Sequence, residues 1–147
     1  MAVDNCIFCK IVQAEIPARK IYERDKVLAI LDVGSTCFVG TNEPQPGRVL
    51  IIPKQHRETF YDLDDEEACE IFQVAKIVAG KIKRAFNPEF VNVIVRGGRI
   101  SHTHVIVRAE FKENDPFGLM MKLLEAAFVP KFPDVFLNET WRKIIQA

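Results

Sequence analysis

The spacing of apolar residues predicts one long helix. Within residues 64–86, apolar side chains recur every three or four positions, at Ile71, Ala75, Val78, Ile82 and Phe86. Asp64, followed three residues later by Glu67, forms a capping-box pattern at the start of this segment. Asn87-Pro88 ends it, because proline cannot continue a helix.

Five shorter segments are rich in apolar and β-branched residues, which is typical of strands. They are residues 20–23, 26–32, 48–53, 90–95 and 100–108. Residues 96–99, Arg-Gly-Gly-Arg, are predicted to form a tight turn between the last two strands, because glycine adopts positive φ values easily. A short helix is expected within residues 5–12, before Pro17.

These elements predict an α+β fold, with a mainly antiparallel sheet of about five strands and one long helix packed on it. The chain of 147 residues is short enough for one domain, with a core over 5–108 and an extension over 109–147. The extension is predicted to form a helical C-terminal tail. The loop 33–47 is longer than a hairpin requires, which favours a functional or mobile segment.

Charge and composition narrow the function classes. Lysine and arginine number 20, as do aspartate and glutamate, so no basic field favours nucleic acid as the main partner. No apolar run reaches the length of a membrane span. Because no signal peptide is visible, we expect a cytoplasmic location, where the four cysteines are unlikely to form disulfides. Cys37 and Cys69 are interpreted as packing residues.

Two of the three histidines, His102 and His104, lie two residues apart on the last predicted strand. Alternation places them on one face with Ile100 and Ile106, about 7 Å from each other. Such a pair requires a metal, a phosphate or hydrogen bonds. Three interpretations stay open: both are satisfied by backbone, both bind metal, or one binds metal while the other is a nucleophile or general acid.

Cys6 and Cys9 form a C-x-x-C, which chelates zinc well because both thiolates reach one ion from a tight turn. His56 and one strand histidine would complete a Cys2His2 set. A redox pair is the other interpretation, although the strand-then-helix context of thioredoxin-type motifs is missing. Arg96 and Arg99 are either phosphate ligands or ordinary solvated charges of the turn.

Four segments in order resemble the histidine triad (HIT) family over residues 5–108. They are 6–11 (Cys-Ile-Phe-Cys-Lys-Ile), 29–32 (Ala-Ile-Leu-Asp), 50–56 (Leu-Ile-Ile-Pro-Lys-Gln-His) and 102–106 (His-Thr-His-Val-Ile). The resemblance implies a nucleotide hydrolase or transferase, commonly a homodimer. Such an enzyme attacks the α-phosphate of a nucleoside phosphoramidate or dinucleoside polyphosphate and forms a nucleotidyl-histidine intermediate.

The resemblance also assigns roles to residues. Zinc (Zn²⁺) would be held by Cys6, Cys9, His56 and His102. His104 would be the nucleophile beside His102 in the catalytic motif, and Asp32 would bind the ribose hydroxyls. The base pocket would be lined by Ile7, Phe8, Ile11, Ile30, Val33 and Leu50, although these six side chains are equally consistent with plain core.

The chain departs from the family motif His-x-His-x-His, because Ile106 occupies the third position. The segment before the motif, which normally contacts phosphate, is shortened to residues 96–99, so Arg96 and Arg99 are candidates to replace it. Aligning on Arg108 instead would make His102 the nucleophile. We favour His104, because that alignment gives the zinc set its fourth ligand. The alternative function is a weak or inactive zinc- and nucleotide-binding module.

Overall fold

The computed structural model describes residues 5–32, 47–97 and 100–111, which contain two α-helices, a short 3-10 helix and a five-stranded antiparallel sheet. The helices are α1 (Ile7–Val12) and α2 (Asp65–Phe86), and the 3-10 turn is Phe60–Asp62. The strands are β1 (Lys20–Glu23), β2 (Val27–Leu31), β3 (Arg48–Pro53), β4 (Phe90–Arg96) and β5 (His104–Glu110). Their order across the sheet is β1-β2-β3-β5-β4. The predicted α+β architecture is confirmed.

The predicted capping box begins α2. The Asp64 carboxylate accepts a 2.7 Å hydrogen bond from the Glu67 backbone N–H, and the Glu67 carboxylate accepts one of 3.0 Å from the Asp64 N–H. Asn87 ends the helix in the left-handed conformation. The helix buries Ile71, Val74, Ala75, Val78 and Ile82 against the sheet. Cys69 is exposed on α2, so its interpretation as a packing residue is wrong.

The two faces of the sheet pack against different helices. One face packs against α2 through residues such as Val49, Ile51 and Val107. The other carries Leu50 and Ile106, paired across β3 and β5, and packs against α1. Because side chains alternate along a strand, His104 shares this second face with Ile106.

The last strand begins later than the sequence predicts. β5 starts at His104 rather than Ile100, and His104 pairs with Arg96. The backbone N–H of Thr103 donates to the Arg57 carbonyl at 2.6 Å, so this residue is held by the segment after β3 instead of by β4. The prediction of a tight turn at residues 96–99 is therefore wrong, because residues 97–103 connect the strands.

Some predictions lie outside the described residues. These are residues 33–46 of the long loop, with Val33 and Cys37, the turn residue Arg99, and residues 112–147 of the extension for which a helical tail was predicted. The single-domain organisation stays a prediction for the same reason. Within the described ranges, no helix combines the length and apolar character that a membrane span requires.

Candidate metal centre and neighbouring histidine

The two cysteines of the C-x-x-C motif flank the first turn of α1. Cys6 is the N-cap residue, and its carbonyl accepts the first helical hydrogen bond, from the Lys10 N–H at 3.1 Å. Cys9 follows within the helix, and both side chains are buried as free thiols. The helical turn therefore directs two sulfur atoms to one side, towards the end of β3 and the segment before β5.

Four side chains from three parts of the chain converge there. The Cys6 sulfur lies 3.2 Å from His102 Nδ1, and the Cys9 sulfur lies 3.3 Å from His56 Nδ1 and 3.7 Å from His102 Nδ1. All four donor atoms lie within 4.8 Å of one another. Zinc–ligand distances of 2.0–2.3 Å in a tetrahedron give donor separations of about 3.3–3.8 Å. The three sulfur–nitrogen distances of 3.2, 3.3 and 3.7 Å lie close to this range.

His102 has a defined orientation in this cluster. It is fully buried, and its Nε2–H donates to the Pro53 carbonyl at 3.0 Å. The lone pair of Nδ1 therefore faces the two sulfurs. Burial lowers the pKa of His102 to about 4, which keeps the imidazole neutral at physiological pH. A neutral ring nitrogen whose partner nitrogen binds a backbone carbonyl is the usual state of a metal-binding histidine.

His56 adds the fourth donor. Its ring meets that of His102 edge to face, with centroids 5.1 Å apart. Within the described residues, its Nε2 is buried without a hydrogen-bond partner. Two thiols and two neutral imidazoles that converge from three parts of the chain are the donor types and the number that a tetrahedral zinc site uses. The donor set therefore fits a metal ion.

His104 lies beside the cluster without joining it. It is the first residue of β5 and is mostly buried. Its Nδ1 lies 3.0 Å from the His102 carbonyl, which has no hydrogen to give, so Nδ1 carries the proton and donates. In the neutral ring, Nε2 then holds the lone pair.

Phe8, which lies between the two cysteines in sequence, contacts both histidines. Its ring centroid is 5.6 Å from that of His102 and 5.3 Å from that of His104. The sequence suggested Phe8 only as a residue of the base pocket. Its contacts with both rings give it a further role in fixing their relative orientation.

The other predicted base-pocket residues fall into three groups. Ile30 and Leu50 are buried in the apolar cluster on the second face, and Ile11 packs at its edge. Ile7 is about half exposed on α1. Val33 lies outside the described residues. A plain core role is therefore sufficient for Ile30 and Leu50, and a base-binding role for the group stays a prediction.

Two predicted phosphate and ribose contacts lie on the face of the sheet that carries His104. Arg96 is exposed at the end of β4, directly opposite His104 on the neighbouring strand. Asp32 follows β2, and its carboxylate lies 2.6 Å from the Arg48 guanidinium. The Arg48 contact was not predicted, because residues 32 and 48 are separated by the long loop.

A second unpredicted contact links α2 to the residues around the two histidines His56 and His102. Arg57 Nε donates to the buried Glu67 carboxylate at 2.8 Å, while the Arg57 carbonyl holds the Thr103 N–H. The sequence identified Glu67 only as a capping residue. The sequence offered one signal for this ion pair, which is the arginine directly after His56. A buried carboxylate such as that of Glu67 needs a cationic partner.

This arrangement defines an α+β domain in which a thiol–imidazole cluster lies next to a second, strand-borne histidine. Residues 13–111 match the sequence profile of the HIT domain family. An adenosine 5′-monophosphoramidase of Schizosaccharomyces pombe is 36% identical over 118 residues, covering 78% of this chain and 80% of that protein.

Solved structures agree with this match. A HIT family protein from Bacillus anthracis superposes with a TM-score of 0.76 at 31% identity, covering 99% of this chain and 98% of that one. A zinc-bound histidine triad family protein from Mycobacterium smegmatis gives a TM-score of 0.65 at 25% identity, with coverage of 76% and 78%. The chain belongs to the HIT family.

Proposed function

We propose that this protein is a HIT-type nucleotide hydrolase or transferase that acts at the α-phosphate of a nucleoside phosphate derivative. His104 is the nucleophile in this proposal. The observation that carries it is the 3.0 Å hydrogen bond from His104 Nδ1 to the His102 carbonyl, which leaves the lone pair on Nε2. The related phosphoramidase of S. pombe supports a nucleoside phosphoramidate as substrate.

The proposed reaction has two displacements. In the first, the Nε2 lone pair of His104 forms a bond to the α-phosphorus, and the bond from phosphorus to the leaving group breaks with its electron pair on the leaving group, which takes a proton from solvent as it departs. In the second, water or another acceptor attacks the same phosphorus and displaces the imidazole. The acceptor proton is lost to solvent or to the released group, and His104 returns to its neutral state.

Arg96 is the proposed phosphate contact. It lies opposite His104 on the neighbouring strand, and its guanidinium can pair with two phosphate oxygens. Ile106, at the third position of the motif, has no polar group for this purpose. The position of Arg96 therefore supports the proposal that the adjacent strand, β4, supplies the phosphate contact that Ile106 cannot make.

Zn²⁺ is the proposed metal, held by Cys6, Cys9, His56 and His102. Four protein ligands would close its coordination sphere, so its contribution would be structural. The ligand set would fix His102, and the His102 carbonyl in turn orients His104. Cys6 and Cys9 on either side of Phe8 would also hold the aromatic ring against His104.

The rival function is a zinc- and nucleotide-binding module with little or no turnover. Its support is Ile106, which is buried in the apolar cluster where the family motif has a histidine. A phosphate bound near His104 would then lack one polar contact.

The deciding experiment follows AMP release from an adenosine 5′-phosphoramidate and from diadenosine polyphosphates. Wild type is compared with His104→Ala and with Ser101→Ala, an exposed neighbour that serves as the matched control. We expect release by wild type and Ser101→Ala, and a loss of at least about a hundredfold in His104→Ala. Equal release by His104→Ala and wild type would sink the proposed mechanism. Calorimetric AMP binding without release from wild type would favour the binding module.

A homodimer is proposed as well, through β4, which is an edge strand of the sheet formed by the described residues. β4 is the last strand in the sheet order, and Phe90, Val93, Ile94 and Val95 are exposed along it. Sedimentation should give twice the 16.8 kDa chain mass for wild type. Val93→Lys should shift the measured mass to that of the monomer, whereas Phe72→Lys on α2 should not. A monomeric wild type would reject the dimer.

The cytoplasmic location stays a prediction from the sequence.

A further inference from the structure

The peptide group between His102 and Thr103 makes a hydrogen bond on each of its two sides. Its carbonyl oxygen accepts the 3.0 Å hydrogen bond from His104 Nδ1, and its N–H donates to the Arg57 carbonyl at 2.6 Å. A peptide group is planar and rigid, so its C=O and N–H turn together. The orientation of the His104 ring therefore depends on the position of the Arg57 carbonyl.

The side chain of Thr103 contributes little to fixing this peptide group. Thr103 is fully buried and lies just before β5 begins. Within the ranges that the structure describes, its hydroxyl group is buried without a hydrogen-bond partner. The backbone contact with Arg57 is therefore the polar contact that holds this part of the chain.

Arg57 is in turn fixed by its guanidinium group. Its Nε donates to the Glu67 carboxylate at 2.8 Å, and its Nη2 donates to the side-chain oxygen of Gln55 at 3.0 Å. The Glu67 side chain is 3% exposed, and the same carboxylate oxygen accepts the Asp64 N–H in the capping box of α2. A carboxylate buried to this degree holds its cationic partner firmly, because separation would leave an uncompensated charge. The first turn of α2 thus anchors Arg57.

The same arginine lies next to the candidate metal site. Gln55 and Arg57 flank His56 in the sequence, and the hydrogen bond between their side chains spans this cluster residue. The Arg57 backbone contacts the segment that carries His102 and His104. One residue therefore connects α2 to both histidine-bearing segments, through its side chain and its carbonyl.

We infer that Arg57 is a positioning residue for His104. Its ion pair with Glu67 fixes the carbonyl that holds the peptide group between His102 and Thr103, and this peptide group keeps the proton of His104 on Nδ1. The effect of Arg57 on turnover rests on the proposed function, whereas its effect on the peptide group and on the imidazole does not.

The test compares wild type with Arg57→Ala and Arg24→Ala. Arg24 is the matched control, because its guanidinium also bonds a side chain of α2, that of Gln73, at 2.6 Å. Native-state hydrogen exchange gives the rate for the Thr103 amide relative to that of Val78, inside α2. This ratio should rise at least about tenfold in Arg57→Ala and stay unchanged in Arg24→Ala. A general loss of stability would not raise it.

Two further measurements follow His104 itself. Nitrogen NMR of the ring should show the Nδ1-protonated form in wild type and a mixture of both neutral forms in Arg57→Ala. In the AMP-release assay, kcat should fall at least about tenfold with little change in KM, because misplacing a nucleophile weakens the transition state rather than substrate binding.

A second variant keeps the test decisive if Arg57→Ala does not fold. Glu67→Gln retains an acceptor oxygen but removes the charge that attracts Arg57, so the exchange ratio should rise about threefold. A ratio and a His104 spectrum that stay at wild-type values in the variants that fold would overturn the inference, as would a fall in kcat without either change. A raised ratio in a protein that releases no AMP would support the positioning role and reject the proposed function.

Discussion

The backbone carbonyl of His102 accepts a 3.0 Å hydrogen bond from the imidazole of His104. His102 thus has two roles. Its ring nitrogen Nδ1 is part of the thiol–imidazole cluster, and its backbone carbonyl accepts the hydrogen bond from the proposed nucleophile. Any movement of the His102 ring that shifts its peptide group will change the orientation of His104. The candidate metal site and the proposed nucleophile are therefore mechanically connected, because one uses the side chain of His102 and the other its backbone carbonyl.

The first prediction concerns the cluster. Cys9→Ser removes a sulfur that lies within 3.7 Å of both His56 and His102, so zinc affinity should fall by more than about a hundredfold. Cys69→Ser is the matched control, because that thiol is exposed on α2. Metal analysis after dialysis should give about one zinc per chain for wild type and the control, and little for Cys9→Ser. Equal zinc in all three would reject the assigned ligands.

The second prediction concerns the third position of the motif. Ile106→His restores the family pattern but places an imidazole among buried apolar residues, including Leu50. We expect a loss of about 1–3 kcal/mol in the free energy of unfolding, since a buried polar group without partners is costly. Urea unfolding measures it, with Ile106→Val as the control for lost packing. Unchanged stability together with faster turnover would mean that this position tolerates a phosphate-binding histidine.

Local sequence signals were sufficient for much of the fold. The helix α2 and the strand β3 begin and end where the pattern predicts, because capping residues, proline and apolar periodicity act within a few residues. The start of β5 was not predictable in this way. It depends on the bond from the Thr103 N–H to the Arg57 carbonyl, which joins distant parts of the chain.

The candidate site likewise has some features that the sequence predicted and others that it did not. The grouping of Cys6, Cys9, His56 and His102 followed from ligand chemistry and family resemblance, and the structure brings their donor atoms together. The contact of Arg48 with Asp32 depends on the pairing of β2 with β3. Register between strands sets such contacts, and no residue pattern near Asp32 indicates it.

The third prediction concerns the ion pair between Arg57 and Glu67, which links α2 to the segment that follows β3. A double-mutant cycle on Arg57→Ala and Glu67→Ala should give a coupling energy of about 1–3 kcal/mol, because the Glu67 side chain is only 3% exposed. The same cycle on Lys20 and Glu23, an exposed pair on β1, should give no measurable coupling. Chemical denaturation of each variant supplies the data. Similar coupling in both pairs would show that burial does not distinguish them.

The last prediction concerns the entry into β3, next to Arg48. Gly47 has a φ of +80°, and a Cβ there would lie 3.0 Å from the Ala109 Cβ and 3.2 Å from the Phe86 ring. The Gly47 carbonyl also accepts a 3.0 Å hydrogen bond from the Ala109 N–H, which prevents an easy backbone shift. Gly47→Ala should therefore lower the free energy of unfolding by about 1–3 kcal/mol.

Gly80→Ala provides the opposite expectation within the same chain. Gly80 lies inside α2, and among the described residues a Cβ there would meet only the end of the Arg84 side chain, at 3.4 Å. Alanine in a helix interior is favoured over glycine by about 0.5–1 kcal/mol, so this variant should be more stable than wild type. Thermal unfolding of both variants should show a lower melting temperature than wild type for Gly47→Ala and a higher one for Gly80→Ala. A stable Gly47→Ala protein would mean that the chain before Arg48 can adopt another conformation, and that the contact between Arg48 and Asp32 does not depend on this turn.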